Sequence, residues 1–120
     1  MTGPDLATRQ LVIDRDGRRC VRCHKPGQHI HHRKPRGMGG TSDPAINSPA
    51  NLIYLCLVCH DYIERHREEG YADGWLVRRN TDPATVAVLS PSGLELTYRH
   101  DGSVERHPVP WIPRDGQAPW

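Results

Sequence analysis

The sequence predicts a small α+β fold stapled by a metal ion, with one helix ahead of the stapled core and an antiparallel β appendage behind it. Three observations predict it. Four cysteines fall in two C-x-x-C pairs, Cys20/Cys23 and Cys56/Cys59, with 32 residues between the pairs. Hydrophobic residues make up only 36% of 120 residues, aromatics 6%, and there is no Phe. A chain this lean in core-forming side chains commonly borrows stability from a metal or from disulfides. Beyond Gly70 the texture changes to short β-prone runs separated by turn residues.

Taken in order, Asp5 to Arg15 reads as a short helix. Leu6, Leu11, Val12 and Arg15 share a face at helical spacing, and Gly17 is a natural stop. Arg18 to Gly27 reads as a metal-binding knuckle, a tight turn whose backbone amides point at thiolate sulfurs. His29 to Arg33 follows as a brief strand. Pro35, Gly37, Gly39 and Gly40 mark an extended loop, and Ser42 to Pro49 is rich in Pro, Ser and Asn and is expected to be irregular. Leu52 to Leu55 is β-prone and runs directly into Cys56. A helix is expected over His60 to Glu69, closed by Gly70. Then come a strand over Gly74 to Arg78, another over Thr85 to Leu89, a turn at Pro91 to Gly93, a strand over Leu94 to Tyr98, and a turn at His100 to Ser103 before Val104. The end, with Pro108, Pro110, Pro113 and Pro119, reads as a Pro-rich tail of low order in which Trp111 and Trp120 are available to dock. Two parts are expected, a core over 1–80 and a β-hairpin appendage with tail over 81–120.

The start Met1-Thr2-Gly3-Pro4-Asp5 lacks the basic and apolar regions of a secretory signal, and the longest apolar run, Leu52 to Cys59, is too short to span a bilayer. A cytoplasmic protein with reduced thiols and no membrane partner is expected. In such a setting paired C-x-x-C motifs favour metal over disulfide. Cys20, Cys23, Cys56 and Cys59 would hold a structural Zn²⁺ with four thiolates, leaving no open position and doing no chemistry.

Net charge is +2, unevenly placed: residues 1–40 hold nine Lys/Arg against three Asp, and the other eighty hold seven against eleven acids. The basic first third runs into His31-His32-Arg33-Lys34. A local excess of this kind suits phosphate contact, with an ordinary solvated face as the bland alternative. Arg33, Lys34 and Arg36 are the expected DNA phosphate-binding residues.

With the thiols assigned, His31, His32 and His60 remain. Neighbours on a strand point to opposite sides, so one of the first two can bind a cation while the other faces a substrate. That division suits phosphodiester hydrolysis, in which a cation offsets charge at the transition state and an imidazole takes a proton from water. Asn51 could orient that imidazole through its amide or ligate the ion. A lone histidine is more often a surface or hydrogen-bonded residue than a ligand, and His24, His29, His100 and His107 are read that way.

Cys20-x-x-Cys23, His31-His32-Arg33, Gly37-x-Gly39-Gly40, Asn51-Leu52 and Leu55-Cys56-x-x-Cys59-His60, in this order, resemble the HNH endonucleases of the ββα-metal, treble-clef kind. The likeness covers roughly Arg9 to Arg79, and it is nearest to a small zinc-knuckle group found in phages of actinobacteria, encoded near packaging genes. It implies that His31 and His60 ligate a catalytic divalent ion, with His60 first on the helix, that His32 is the general base, and that Asn51 holds the loop and positions His32. The family often has another His four residues after the second ligand. Here Glu64 stands there, and a carboxylate favours Mg²⁺ or Mn²⁺. His66 is a weaker candidate. DNA is the implied partner, with phage terminase or packaging proteins beside it, in host cytoplasm, and a monomer or weak dimer as the working form. The rival readings are a non-catalytic zinc-finger DNA-binding or adaptor module, and a protein-interaction module built on residues 75–105.

Overall fold

A computed structural model describes residues 3–35, 44–90 and 93–109. The expected Gly-rich loop over 37–40, Arg36, Pro91 and the tail tryptophans lie outside the described residues.

Helix α1 (Leu6–Arg15) begins at Asp5, whose Oδ1 accepts from the Thr8 N–H at 2.8 Å and satisfies one of the orphan donors of the first turn. Its expected apolar face is only half realised. Val12 is fully buried, but Leu6 is 83% exposed, so the inward stripe is Val12 and Arg15. Arg15 donates to the carbonyls of Pro49 (2.8 Å) and Leu52 (2.6 Å), pairs with buried Asp16, and lies 4.0 Å over the Tyr98 ring. Asp16 in turn accepts from the Tyr54 N–H at 2.9 Å. This pair ties α1 to the central hairpin.

The hairpin pairs β1 (His29–His32) with β2 (Leu52–Leu55), antiparallel, with His31 opposite Ile53 and His32 opposite Leu52. Helix α2 (Leu57–Arg65) follows at once, completing a ββα unit. It starts three residues earlier than expected because Cys56 is its N-cap, the sulfur accepting from the Cys59 N–H at 3.4 Å. His60 is therefore the fourth helical residue. The helix also does not run to Gly70. The backbone leaves helical geometry at His66 (φ −126°, ψ 60°), and α3 (Arg67–Asp73) starts afresh. Gly70 sits inside α3 against Leu76 and Ile63, where a Cβ would stand 2.9 Å from Leu76 Cδ1, and the true stop is Gly74 in the left-handed region.

Residues 74–78 do not form the expected strand. A Cβ on Gly74 would stand 1.9 Å from the Ala87 carbonyl, so glycine alone lets the chain turn there. The segment directs its hydrogen bonds to β1 and the residue that follows it: the Val77 N–H donates to the Arg33 carbonyl at 2.9 Å, and the Trp75 carbonyl faces His31. The expected strand at 85–89 shifts as well. Asp82 caps a 3₁₀ turn at Pro83–Thr85, and β3 is Val88–Ser90. Strands β4 (Leu94–Tyr98) and β5 (Val104–Pro108) complete a three-stranded antiparallel sheet in the order β3-β4-β5, around the expected turn at His100–Ser103.

Val88, Leu96 and Tyr98 of this sheet belong to the same buried cluster as Cys20, Ile53, Leu55 and Ile63. Arg33 reinforces the junction. It is fully buried, and its guanidinium donates to the carbonyls of Gly74 (2.9 Å), Ala50 (2.8 Å), Pro83 (3.1 Å) and Val86 (2.6 Å). Among the described residues no helix is long and apolar enough to cross a membrane.

Candidate metal centres and the residues around them

The knuckle turns through Arg18 and His24, both at positive φ, and returns the chain so that the Cys20 N–H donates to the Lys25 carbonyl at 2.7 Å. This brings Cys20 and Cys23 against the β2–α2 junction, which supplies Cys56 and Cys59. The four sulfurs all lie within 4.8 Å of one another. The Cys23 and Cys56 sulfurs are 3.7 Å apart. Zn–S bonds of about 2.3 Å at tetrahedral angles put sulfurs about 3.8 Å apart, whereas a disulfide needs about 2.05 Å. Burial pushes the Cys20 and Cys59 thiols up. At Cys56 burial is outweighed by hydrogen bonds from the Cys59 N–H and the neighbouring thiols, which bring it to about 7. Arg22 stands beside the cluster, donating to the Cys59 sulfur at 3.4 Å and stacking 3.8 Å over the Tyr62 ring. A four-thiolate zinc carries net negative charge, and this guanidinium offsets part of it. Donor set, spacing and countercharge fit a structural zinc site.

The second cluster lies on the face where β1 meets α2. His31, His60 and Glu64 each offer a ligand atom within 4.8 Å of the others. His60 and Glu64 share a helix face at i,i+4, as their spacing requires. The His31 and His60 rings are 5.2 Å apart at 72°. Two imidazoles bound to one ion by bonds of about 2.1 Å have ring centres about 5 Å apart, so the pair has the right size. His31 is 3% exposed, and its Nε2 meets the Trp75 carbonyl at 3.0 Å. A carbonyl only accepts, so Nε2 carries the proton and the lone pair is on Nδ1, the form a cation requires. Burial pushes the His31 pKa down to about 3, against the Trp75 hydrogen bond, which raises it. The ring is therefore neutral at any working pH. Glu64 also accepts from Arg67 at 2.9 Å, and Arg67 reaches the Tyr71 hydroxyl at 3.2 Å. The His29 ring lies 6.0 Å from that of His60, outside the group that converges. His66 faces elsewhere, stacked on Tyr62 at 4.0 Å.

His32 points to the other side of β1, as strand geometry demands, and its Nε2 meets the Asn47 Oδ1 at 2.8 Å. Asn51 makes no such contact. It is fully buried, its Oδ1 accepts from the Lys34 N–H at 2.8 Å, and its Nδ2 donates to the carbonyls of Lys34 (3.1 Å) and Ile46 (2.9 Å). It clamps the two ends of the β1–β2 connection together.

Two of the three expected phosphate contacts are placed otherwise. Arg33 is buried with its N–H groups committed to carbonyls, and burial lowers its pKa only to about 10, so it remains charged. Lys34 is 6% exposed, with Nζ on the Thr81 carbonyl at 3.2 Å. Both brace the fold, because a charged side chain beside many orphan carbonyls satisfies them from inside. Arg36 lies outside the described residues. Sequence reasoning missed Asn47, Trp75 and Arg67. A second Asn four residues before Asn51 was the available signal for the first. A backbone carbonyl such as that of Trp75 leaves no mark in a sequence.

Fold and side chains together define a ββα unit with a four-cysteine cluster that fits zinc and a separate His/Glu cluster where β1 meets α2. The family model described as HNH endonuclease matches residues 20–66, which run from the first zinc cysteine to the end of α2. Residues 20–66 are thus similar to an HNH endonuclease domain, a likeness that suggests nuclease activity on DNA. No curated protein and no solved structure matches the chain.

Proposed function

We propose that the protein is a metal-dependent endonuclease that hydrolyses DNA phosphodiester bonds. One observation carries this reading: His31, His60 and Glu64 converge on one side of β1 while His32, the next residue, is held on the other. His31, His60 and Glu64 would hold a divalent cation, with Mg²⁺ or Mn²⁺ favoured by the carboxylate. Such a cation supplies charge that steadies the transition state and the departing 3′ oxygen. His32 takes the proton of the attacking water. Asn47 keeps its ring oriented, and Asn51 keeps the connection between the two strands closed. Arg36 is the phosphate contact in this reading. By likeness to the family, the products carry 5′-phosphate and 3′-hydroxyl ends. A helix such as α2 laid in the minor groove reads a degenerate pattern, so cutting is of low sequence specificity. A role in phage genome cutting beside packaging proteins, in host cytoplasm and as a monomer or weak dimer, follows the same likeness.

Plasmid nicking with added Mg²⁺ or Mn²⁺ tests the proposal. Cutting by wild type, lost in His32→Ala with zinc content and melting temperature retained, supports it. No cutting with any divalent metal, alongside retained DNA binding, favours a non-catalytic zinc module.

A further inference from the structure

The Asp82, His100 and Ser48 side chains form a hydrogen-bonded chain joining three separate parts of the fold. His100, on the turn between β4 and β5, meets the Ser48 hydroxyl through Nδ1 and the Asp82 Oδ1 through Nε2, the latter at 2.8 Å. Each partner caps a 3₁₀ turn. Ser48 Oγ accepts from the Ala50 N–H at 3.3 Å, at the head of Pro49–Asn51, and Asp82 Oδ1 accepts from the Ala84 N–H at 2.9 Å, at the head of Pro83–Thr85. The same two turns are bridged from inside by Arg33, whose Nη1 donates to both the Ala50 and the Pro83 carbonyls. Arg33 is thus an inner clasp and His100 an outer one. Between them they hold the segment that enters the Pro49–Asn51 turn, and Asn47, which meets the His32 ring, is the residue before Ser48.

We propose that His100 is a positioning residue: through Ser48 it holds the 44–51 segment, and with it the Asn47 amide, on the ring of His32. The C-terminal sheet then serves the catalytic base. The His100 and Asp82 side chains are 43% and 54% exposed, so their pairing adds little to global stability. Its effect is local, on how tightly the segment is ordered. This inference takes His32 as the base and so rests on the nuclease reading.

The test compares wild type, His100→Ala and His100→Gln, the last able to accept from Ser48 and donate to Asp82 with its amide. Single-turnover cleavage of a labelled duplex in Mn²⁺ is measured with Mn²⁺ affinity, zinc content and melting temperature. Long-range ¹⁵N–¹H NMR reads the protonated nitrogen of His32. His100→Ala is expected to cut about tenfold more slowly, with DNA and Mn²⁺ affinity unchanged and the His32 ring shifted from Nε2–H towards a mixture. His100→Gln should recover part of both. Should His100→Ala lose zinc or unfold, the Gln variant carries the comparison. A wild-type rate with an unchanged ring, or a loss of rate in a folded, zinc-loaded variant matched by a loss of Mn²⁺ affinity, overturns the proposal. If wild type cuts no DNA, the nuclease reading fails, and the His32 ring signal alone decides whether His100 acts through Asn47.

Discussion

The His32 ring and the Asn47 side chain meet at 2.8 Å, so the imidazole next in sequence to the His31–His60–Glu64 cluster is oriented by an asparagine of the adjoining segment and not by buried Asn51. The two asparagines therefore have separable roles. Asn47→Ala should slow cleavage about tenfold to a hundredfold by releasing the ring, with little change in melting temperature. Asn51→Ala strands the N–H and carbonyl of Lys34 and the carbonyl of Ile46, and should cost on the order of 3 kcal/mol of stability. Thermal melts beside single-turnover rates separate them. Equal losses of stability in both variants would remove the distinction.

Zinc should be a condition of folding. The purified protein is expected to hold one tightly bound zinc by elemental analysis, and stripping it with a strong chelator should abolish the cooperative melt. Cys20→Ser and Cys56→Ser should each lose the ion, since every ligand comes from a different step of the knuckle or helix cap. A chelated protein that keeps its melt would contradict the fit of the four sulfurs.

Arg33 should matter for the fold and not for DNA affinity. Arg33→Ala removes a donor from four carbonyls, three of them buried and one, that of Pro83, still accepting from the Val86 N–H, and should cost about 3 kcal/mol; Arg33→Lys should not restore it because a point charge cannot span four acceptors. Urea titration of the zinc-loaded protein measures this. A normal midpoint combined with weakened DNA binding would return Arg33 to the role of phosphate clamp.

His31 sets a pH dependence of stability. Its folded pKa of about 3 lies below the ordinary value of 6.5, so in acid the unfolded chain takes up a proton that the folded ring refuses. Stability then rises with pH between these values and is lost as pH falls below 6.5, by about 2 kcal/mol at pH 5. His31→Asn should flatten that slope in denaturant titrations without added Mn²⁺. An unchanged slope would mean that the ring is not buried in its neutral form.

Arg67 competes for Glu64. The guanidinium holds the carboxylate at 2.9 Å, and its charge repels an approaching cation. Arg67→Ala should tighten Mn²⁺ binding a few-fold, and Glu64→Gln should weaken it, both read by calorimetry. Weaker binding in Arg67→Ala would mean that the arginine positions Glu64 for the ion.

Much of this protein is written in short spacings. Two C-x-x-C pairs predict a four-sulfur cluster because three-residue steps place both thiols of a pair on one side of a knuckle or a helix start. Adjacent histidines on a strand must part, and residues four apart on a helix must meet. These are local rules of backbone geometry, and the separation of His31 from His32 and the pairing of His60 with Glu64 follow them. The resemblance carried by the same motifs agrees with the HNH endonuclease family match over residues 20–66. Local rules failed at Gly70 and at 74–78, where tight packing against Leu76 and Ala87, and bonds to β1, outweighed the tendency of glycine to end a helix and of Trp-Leu-Val to form a strand.

From its sequence alone, this chain determined which side chains are chemically able to bind a soft and a hard cation, and at which local spacings. The tertiary structure decided which partners they face: Trp75 for His31, Asn47 for His32, four carbonyls for Arg33 in place of a phosphate, and His100 for Ser48. Each of these contacts joins segments between 15 and 53 residues apart. Such pairings depend on how separate elements share one small core, where an unsatisfied carbonyl costs more than an exposed charge gains, and no local pattern of residues encodes that balance.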